Sequence, residues 1–161
     1  MCWARHVWIL AFVASSLFAQ DAFNADQLAM LHDPHGWEYV SVFDLNNGMQ
    51  EQHACFVQGQ TTDACRGTLK LGKDGKFVQN VYIHGQNVAR HGTYELDGNQ
   101  ITLEDELGTA DGPYILEIKT EPESMRMSMD RGGVLIGADL KLVDSSRENK
   151  KKKKQSGKQG S

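Results

Sequence analysis

The chain has 161 residues and a formal net charge of −4. That length excludes more than one domain of ordinary size. Residues 21–144 hold 20 acidic against 9 basic side chains, and residues 145–161 hold seven Lys and Arg against one Glu, so an acidic body precedes a basic tail.

In chain order, Arg5 and His6 make a weakly basic start, and VWILAFVASSLFAQ follows as an apolar run ending in small residues. The run is too short and too soon interrupted for a membrane span, and it reads as a secretory signal. Cleavage is expected after Ala19, giving a signal peptide over residues 1–19 with Leu17 at the −3 position; Ser16 and Gln20 mark the neighbouring alternatives. A buried N-terminal helix is the competing reading. Cys2 leaves with the signal, and no cysteine follows the small residues to carry a lipid anchor.

Next, NADQLAMLHDPHG predicts a short helix. Asn24 caps it, Gln27 can reach back to the cap, and Leu28, Met30 and Leu31 form its apolar side. The Asp33-Pro34 step stops it. From Trp37 the period changes. WEYVSVF reads as a strand, and DLNNGMQEQ as a turn-rich stretch around Asn46, Asn47 and Gly48. Cys55 and Cys65 follow, with nine residues between them. In an oxidising compartment such a pair reads as a structural disulfide tying a hairpin or loop at its base. A redox pair would need C-x-x-C spacing in a βαβ context, and neither is present.

Turn signals then become regular. GTLKLG, FVQNVYI, RHGTYEL, QITLED, PYILEIKT, MRMSMD and VLIGADLKLV read as strands. KDGK, HGQN, DGN, ELGTADG, EPES and RGG separate them. Short strands at spacings near ten residues predict an all-β sandwich or barrel, and no long helical pattern intervenes to allow a parallel sheet. Alternation puts Tyr94 and Leu96 on one face, continued by Ile101 and Leu103, by Tyr114, Leu116 and Ile118, by Met125, Met127 and Met129, and by Val134, Ile136, Ala138, Leu140 and Leu142. Closing such a meander leaves no bare edge. Asp97-Gly98-Asn99 suits a tight hairpin. Gly92, inside a strand, permits a bulge or sharp coil over a neighbour.

The stretches GTLKLGKDGKF, GTYELDGNQITL and the late MRMSMD with LKLV resemble the small bacterial lipocalin-like domains. The Gly36-Trp37 pair resembles the start of the first strand in that family. The resemblance spans about residues 36–143. It implies an up-and-down antiparallel barrel of about eight strands, preceded by a short helix and enclosing an apolar cup. The expected organisation is a signal peptide over 1–19, a lipocalin-like barrel over 20–144 and a disordered Lys-rich tail over 145–161. The expected location is the bacterial periplasm or the extracellular space.

Chemistry is sparsely signalled. Ser41, Ser124 and Ser128 lie in no G-x-S-x-G elbow, and no enzyme activity is expected. His32, His35, His53, His84 and His91 match no chelating spacing and read as solvated loop histidines, so no metal or cofactor is expected. Glu104, Asp105, Glu106 and Asp111 read as a solvated acidic loop, lacking the ordered alternation of a calcium loop. The tail RENKKKKKQSGKQGS reads as a solvated segment pairing loosely with the acidic body. It has no interleaved aromatics for stacking bases, so no nucleic acid is expected as a partner. Met125, Met127 and Met129 are adaptable thioethers that suit an apolar guest or a filled core.

The first functional expectation is an exported barrel binding a small apolar or amphipathic molecule, with Trp37, Tyr39, Tyr94, Tyr114, Met125 and Met127 as its wall. The alternative is a filled-core envelope module, an inhibitor or assembly factor, acting through its surface on a protein partner the sequence does not specify. Interior volume separates the two.

Overall fold

A computed structural model describes residues 23–143; the expected signal peptide and Lys-rich tail lie outside the described residues. Helix α1 (Ala25–Leu31) begins where the sequence places it. The Asn24 side chain accepts from Gln27 N at 2.9 Å, and Gln27 Oε1 accepts from Asn24 N at 3.0 Å, a reciprocal pair that satisfies two otherwise orphaned donors. Gln27 also donates from Nε2 to Ile118 O at 2.8 Å, which fastens the helix to the sheet. No helix among the described residues is long and apolar enough to cross a membrane.

The strands are β1 (Trp37–Asn46), β2 (Met49–Ala54), β3 (Phe56–Val57), β4 (Gln60–Thr61), β5 (Cys65–Leu71), β6 (Lys76–Ile83), β7 (Gln86–Asp97), β8 (Gln100–Asp105), β9 (Ala110–Thr120), β10 (Glu123–Asp130) and β11 (Leu135–Leu142). From β5 to β11 each pairs antiparallel with its successor. Strand β1 closes the circle, meeting β11 along one edge and β5 along the other. The result is an all-β, closed, eight-stranded antiparallel barrel with one short helix. The turn expected around Asn46, Asn47 and Gly48 is there, and the residues on either side of it are strands: β1 runs on to Asn46, and β2 returns beside it. The hairpin forms because Asn47 and Gly48 both take positive φ, at 52° and 79°, as a two-residue connection between twisted strands requires.

The hairpin leaves a seam. Strand β1 pairs with β5 only at Trp37 and Glu38; from Ser41 onward the same edge is taken by β2. The Cys55–Cys65 disulfide crosses this seam, joining the end of β2 to the start of β5 around the small β3–β4 hairpin. Both cysteines are fully buried, and the bond is compatible with an oxidising compartment. Replacing both cysteines by serine is expected to cost about 2–3 kcal/mol by releasing the closed loop in the unfolded chain. Urea unfolding of that variant against the oxidised parent checks the figure, and a loss under about 0.5 kcal/mol would show that the seam holds without its cross-link.

Two bulges reset the alternation. In β1 the register with β11 slips between Tyr39 and Ser41, so Tyr39 and Val42 face inward while Ser41 and Phe43 face out. Ser41 donates to Asp139 Oδ2 at 2.8 Å. Phe43 packs outside the core cluster under the Arg126 guanidinium, 5.3 Å from its ring. Arg126 also donates from Nε to Asp139 Oδ1 at 2.7 Å. Burial alone would push the Asp139 carboxyl up, but these hydrogen bonds and the Arg126 charge outweigh it and hold the carboxyl below its usual value. In β9 the register with β8 slips opposite Ile101 and Leu103, which pair with Tyr114 and Asp111. One extra residue in β9 therefore turns both Asp111 and Tyr114 inward.

Candidate functional site: a cavity at one end of the barrel

The two ends of the barrel differ. At one end Trp37 and Leu31 are fully buried, and Trp37 donates from Nε1 to Leu31 O at 3.3 Å. Phe77, Leu71, Leu140 and Met125 are buried with them in the same cluster. Tyr94 donates to Gly72 O at 2.7 Å, and its hydroxyl oxygen therefore accepts from His32 Nε2 at 2.9 Å. Burial pushes the Tyr94 phenol up and the His32 imidazole down. Helix α1 closes this end.

The other end holds a cavity of about 300 Å³. Its apolar wall is Val42, Val81, Ile83, Val88, Leu103 and Met127; Tyr39, Gln79, Arg90, Asp111 and Tyr114 supply polar groups, and Asp44 stands at the rim. Of the six residues expected to form a ligand wall, Tyr39, Tyr114 and Met127 line this cavity. Trp37, Tyr94 and Met125 pack in or against the core cluster without lining the cavity. The physical reason is axial. All six share the inner face, but antiparallel strands carry successive inward residues to opposite ends of the barrel, and face alone does not fix height.

The polar groups form two sets. Arg90 donates from Nη1 to Asp111 Oδ2 at 2.8 Å, with Asp105 Oδ2 3.8 Å from its Nε. Tyr114 donates to Asp111 Oδ1 at 2.7 Å. Burial, then the hydrogen bond to Asp111 and its charge, push the Tyr114 phenol well up. In the second set Gln79 Nε2 donates to the Tyr39 hydroxyl at 2.7 Å, and burial pushes that phenol up to about 12. Three buried polar atoms on the cavity lining lack a hydrogen-bond partner: Gln79 Oε1, Arg90 Nη2 and Asp44 Oδ1. Each would otherwise carry an uncompensated desolvation cost of about 1–3 kcal/mol.

Of the acidic cluster read as a solvated loop, Glu104 and Glu106 are exposed, and Asp105 and Asp111 are engaged. Asp105 accepts from Leu107 N and Thr109 N at 3.0 and 2.9 Å; these backbone donors, first that of Thr109, hold its carboxyl below the usual value. Glu106 meets His91 at 2.8 Å. Sequence reasoning passed over Arg90, Gln79 and Asp111 as interior groups. A signal existed for Arg90: counting back by two from Tyr94 puts Gly92 and then Arg90 on the inner face. For Asp111 none existed, because only the bulge turns it in.

A second cluster lies at the rim. His53 and His84, expected as separate loop histidines, come together with their ring centroids 4.5 Å apart. Asp44 lies between their reach: Oδ2 is 3.0 Å from His84 Nε2, and Oδ1 is 3.6 Å from His53 Nε2. The fold and the cavity define a class, a small closed antiparallel barrel plugged at one end by a helix and hollow at the other. Comparison of the chain with protein-family models, with curated proteins and with solved structures returned no match.

Proposed function

We propose that this protein is an exported, lipocalin-like carrier or sensor that binds one small amphipathic molecule at the hollow end of its barrel. The observation that carries the reading is the cavity itself, with apolar walls and three unpartnered polar atoms among its lining residues. A buried pocket that is mostly apolar with a few convergent polar groups is the usual form of a small-molecule site. It favours ligand binding over a filled-core interaction module.

Size and charge narrow the guest. A volume of about 300 Å³ holds roughly ten water-sized groups, enough for a monocyclic or short-chain molecule but not for a whole long-chain lipid. Arg90 is already engaged by two carboxylates, Asp111 and Asp105, so an anionic head would meet unbalanced negative charge. Gln79 Oε1 calls for a donor and Arg90 Nη2 for an acceptor. A neutral hydroxyl or amide supplies both. The guest is thus a compact phenol, alcohol or amide with its apolar part against Val42, Val81, Val88 and Met127.

Titration calorimetry with a panel of phenols, aliphatic amides and size-matched carboxylates tests this. One equivalent of a neutral member is expected to bind, more tightly than its carboxylate counterpart. Val88→Trp, which fills the mouth, is expected to weaken binding at least tenfold. No binding across the panel, or binding untouched by Val88→Trp, would overturn the proposal.

A further inference from the structure

We propose that Asp44, His53 and His84 form a binding site for a single divalent transition-metal ion of the zinc class, placed at the rim of the cavity. Their donor atoms all lie within 4.8 Å of one another. In a tetrahedral shell with metal–ligand bonds of about 2.0–2.1 Å, neighbouring donors are about 3.3 Å apart. Asp44 reaches His84 Nε2 at 3.0 Å through Oδ2 and His53 Nε2 at 3.6 Å through Oδ1, so each oxygen stands near that spacing from one imidazole, and side-chain rotation brings one donor from each residue around a single ion. Two imidazoles and a carboxylate select zinc, copper or nickel rather than calcium or magnesium, which prefer oxygen-only shells.

Internal hydrogen bonding accounts for only part of the cluster, joining His84 Nε2 to Asp44 Oδ2 at 3.0 Å. Asp44 Oδ1 is buried and lacks a hydrogen-bond partner. His53 Nε2 stands 3.6 Å from that oxygen and 3.7 Å from Glu51 Oε2, both beyond hydrogen-bond range. An ion between these atoms satisfies the orphaned oxygen and the unengaged nitrogen together, and leaves a fourth position for Glu51 or water.

The backbone holds the donors in place. Val42 pairs with His53 and Asp44 with Glu51, so Asp44 and His53 are diagonal neighbours on one face of the hairpin. The β1 bulge turns that face toward the mouth. His84 sits at the β6–β7 turn with φ 47°, its N–H bonded to Ala64 O at 3.0 Å. Ala64 precedes Cys65, whose disulfide partner, Cys55, lies two residues beyond His53. The disulfide frame therefore sets both histidines at a seam that β2 and β5 do not close with ladder bonds. The metal would be a second clip across that seam, farther out than the disulfide. This inference stands without the ligand proposal.

The full oxidised chain is titrated with zinc chloride by calorimetry and, in parallel, with cobalt chloride by visible absorption. One equivalent of zinc is expected to bind and to raise the thermal midpoint, and cobalt is expected to show the intense bands of a low-coordinate site. His53→Ala and His84→Ala are each expected to weaken zinc binding at least tenfold with an unchanged far-ultraviolet spectrum. His91→Ala, outside the cluster, is expected to leave binding unchanged. Absence of stoichiometric zinc binding, or binding of equal affinity in the His53→Ala/His84→Ala double variant, would overturn the assignment.

Discussion

Replacing Trp37 by alanine is expected to lower the stability of the barrel by about 3–5 kcal/mol. The indole is fully buried at the closed end, where its strand meets both neighbours: Trp37 pairs with Leu142 on β11 and with Leu69 on β5. Its removal acts on three things at once. It leaves a large void in a layer whose other members, Leu31, Leu69 and Leu140, are themselves fully or almost fully buried. It removes the hydrogen bond to Leu31 O that ends the helix. It also weakens the one short stretch where β1 and β5 close the circle. Trp37→Phe keeps most of the volume and loses the donor, so it is expected to cost less. Urea unfolding of both variants measures the difference. A loss below about 1 kcal/mol for Trp37→Ala would mean that the helix does not seal this end through the indole.

Gly137→Ala is expected to cost about 2–6 kcal/mol. Gly137 lies in β11 with φ 151°, and forcing a side chain onto sparsely populated backbone costs about 1–3 kcal/mol. An added Cβ would also overlap the Met127 carbonyl oxygen and come within 2.9 Å of Ser128 Cα, both backbone atoms of the neighbouring strand, and overpacking adds about 1–3 kcal/mol. The strand ladder must open locally to admit it. Gly92 differs. An added Cβ there would overlap Glu104 O, but Gly92 is not among the positive-φ glycines. Gly92→Ala should therefore show the overlap without the backbone term and cost less than Gly137→Ala. Thermal unfolding of the pair separates the contributions; equal losses would mean that backbone conformation adds nothing at Gly137.

Several parts of the molecule were legible before any coordinates. The Asn24 and Gln27 cap, the QITLED strand and the Gly98-Asn99 turn all rest on neighbours in sequence, where local chemistry decides. Gly92 was legible because a lone glycine in a good strand signals a close crossing. The disulfide was legible from cysteine spacing. Less legible was the hairpin after Phe43, because its polar strand β2 carries no apolar alternation to announce it.

The cavity shows where local reading stopped. Period-two alternation names the residues that face inward and is silent on which end of the barrel they occupy. Tyr39, Tyr114 and Met127 thus separate from Trp37, Tyr94 and Met125 only when antiparallel register is known. Asp111 enters the interior, and Asp44 the rim, because a bulge inserts one residue into β9 and one into β1. A bulge is a property of two paired strands and leaves no periodic mark in either.

By itself the sequence determined the antiparallel succession of strands from GTLKLG to VLIGADLKLV, the capped helix, the positions of most turns and the Cys55–Cys65 cross-link, because each depends on residues close together along the chain. The tertiary structure alone decided which end is hollow, which charges line it and that His53, His84 and Asp44 meet. Those are contacts between strands, and their geometry is set by register, twist and closure of the whole sheet.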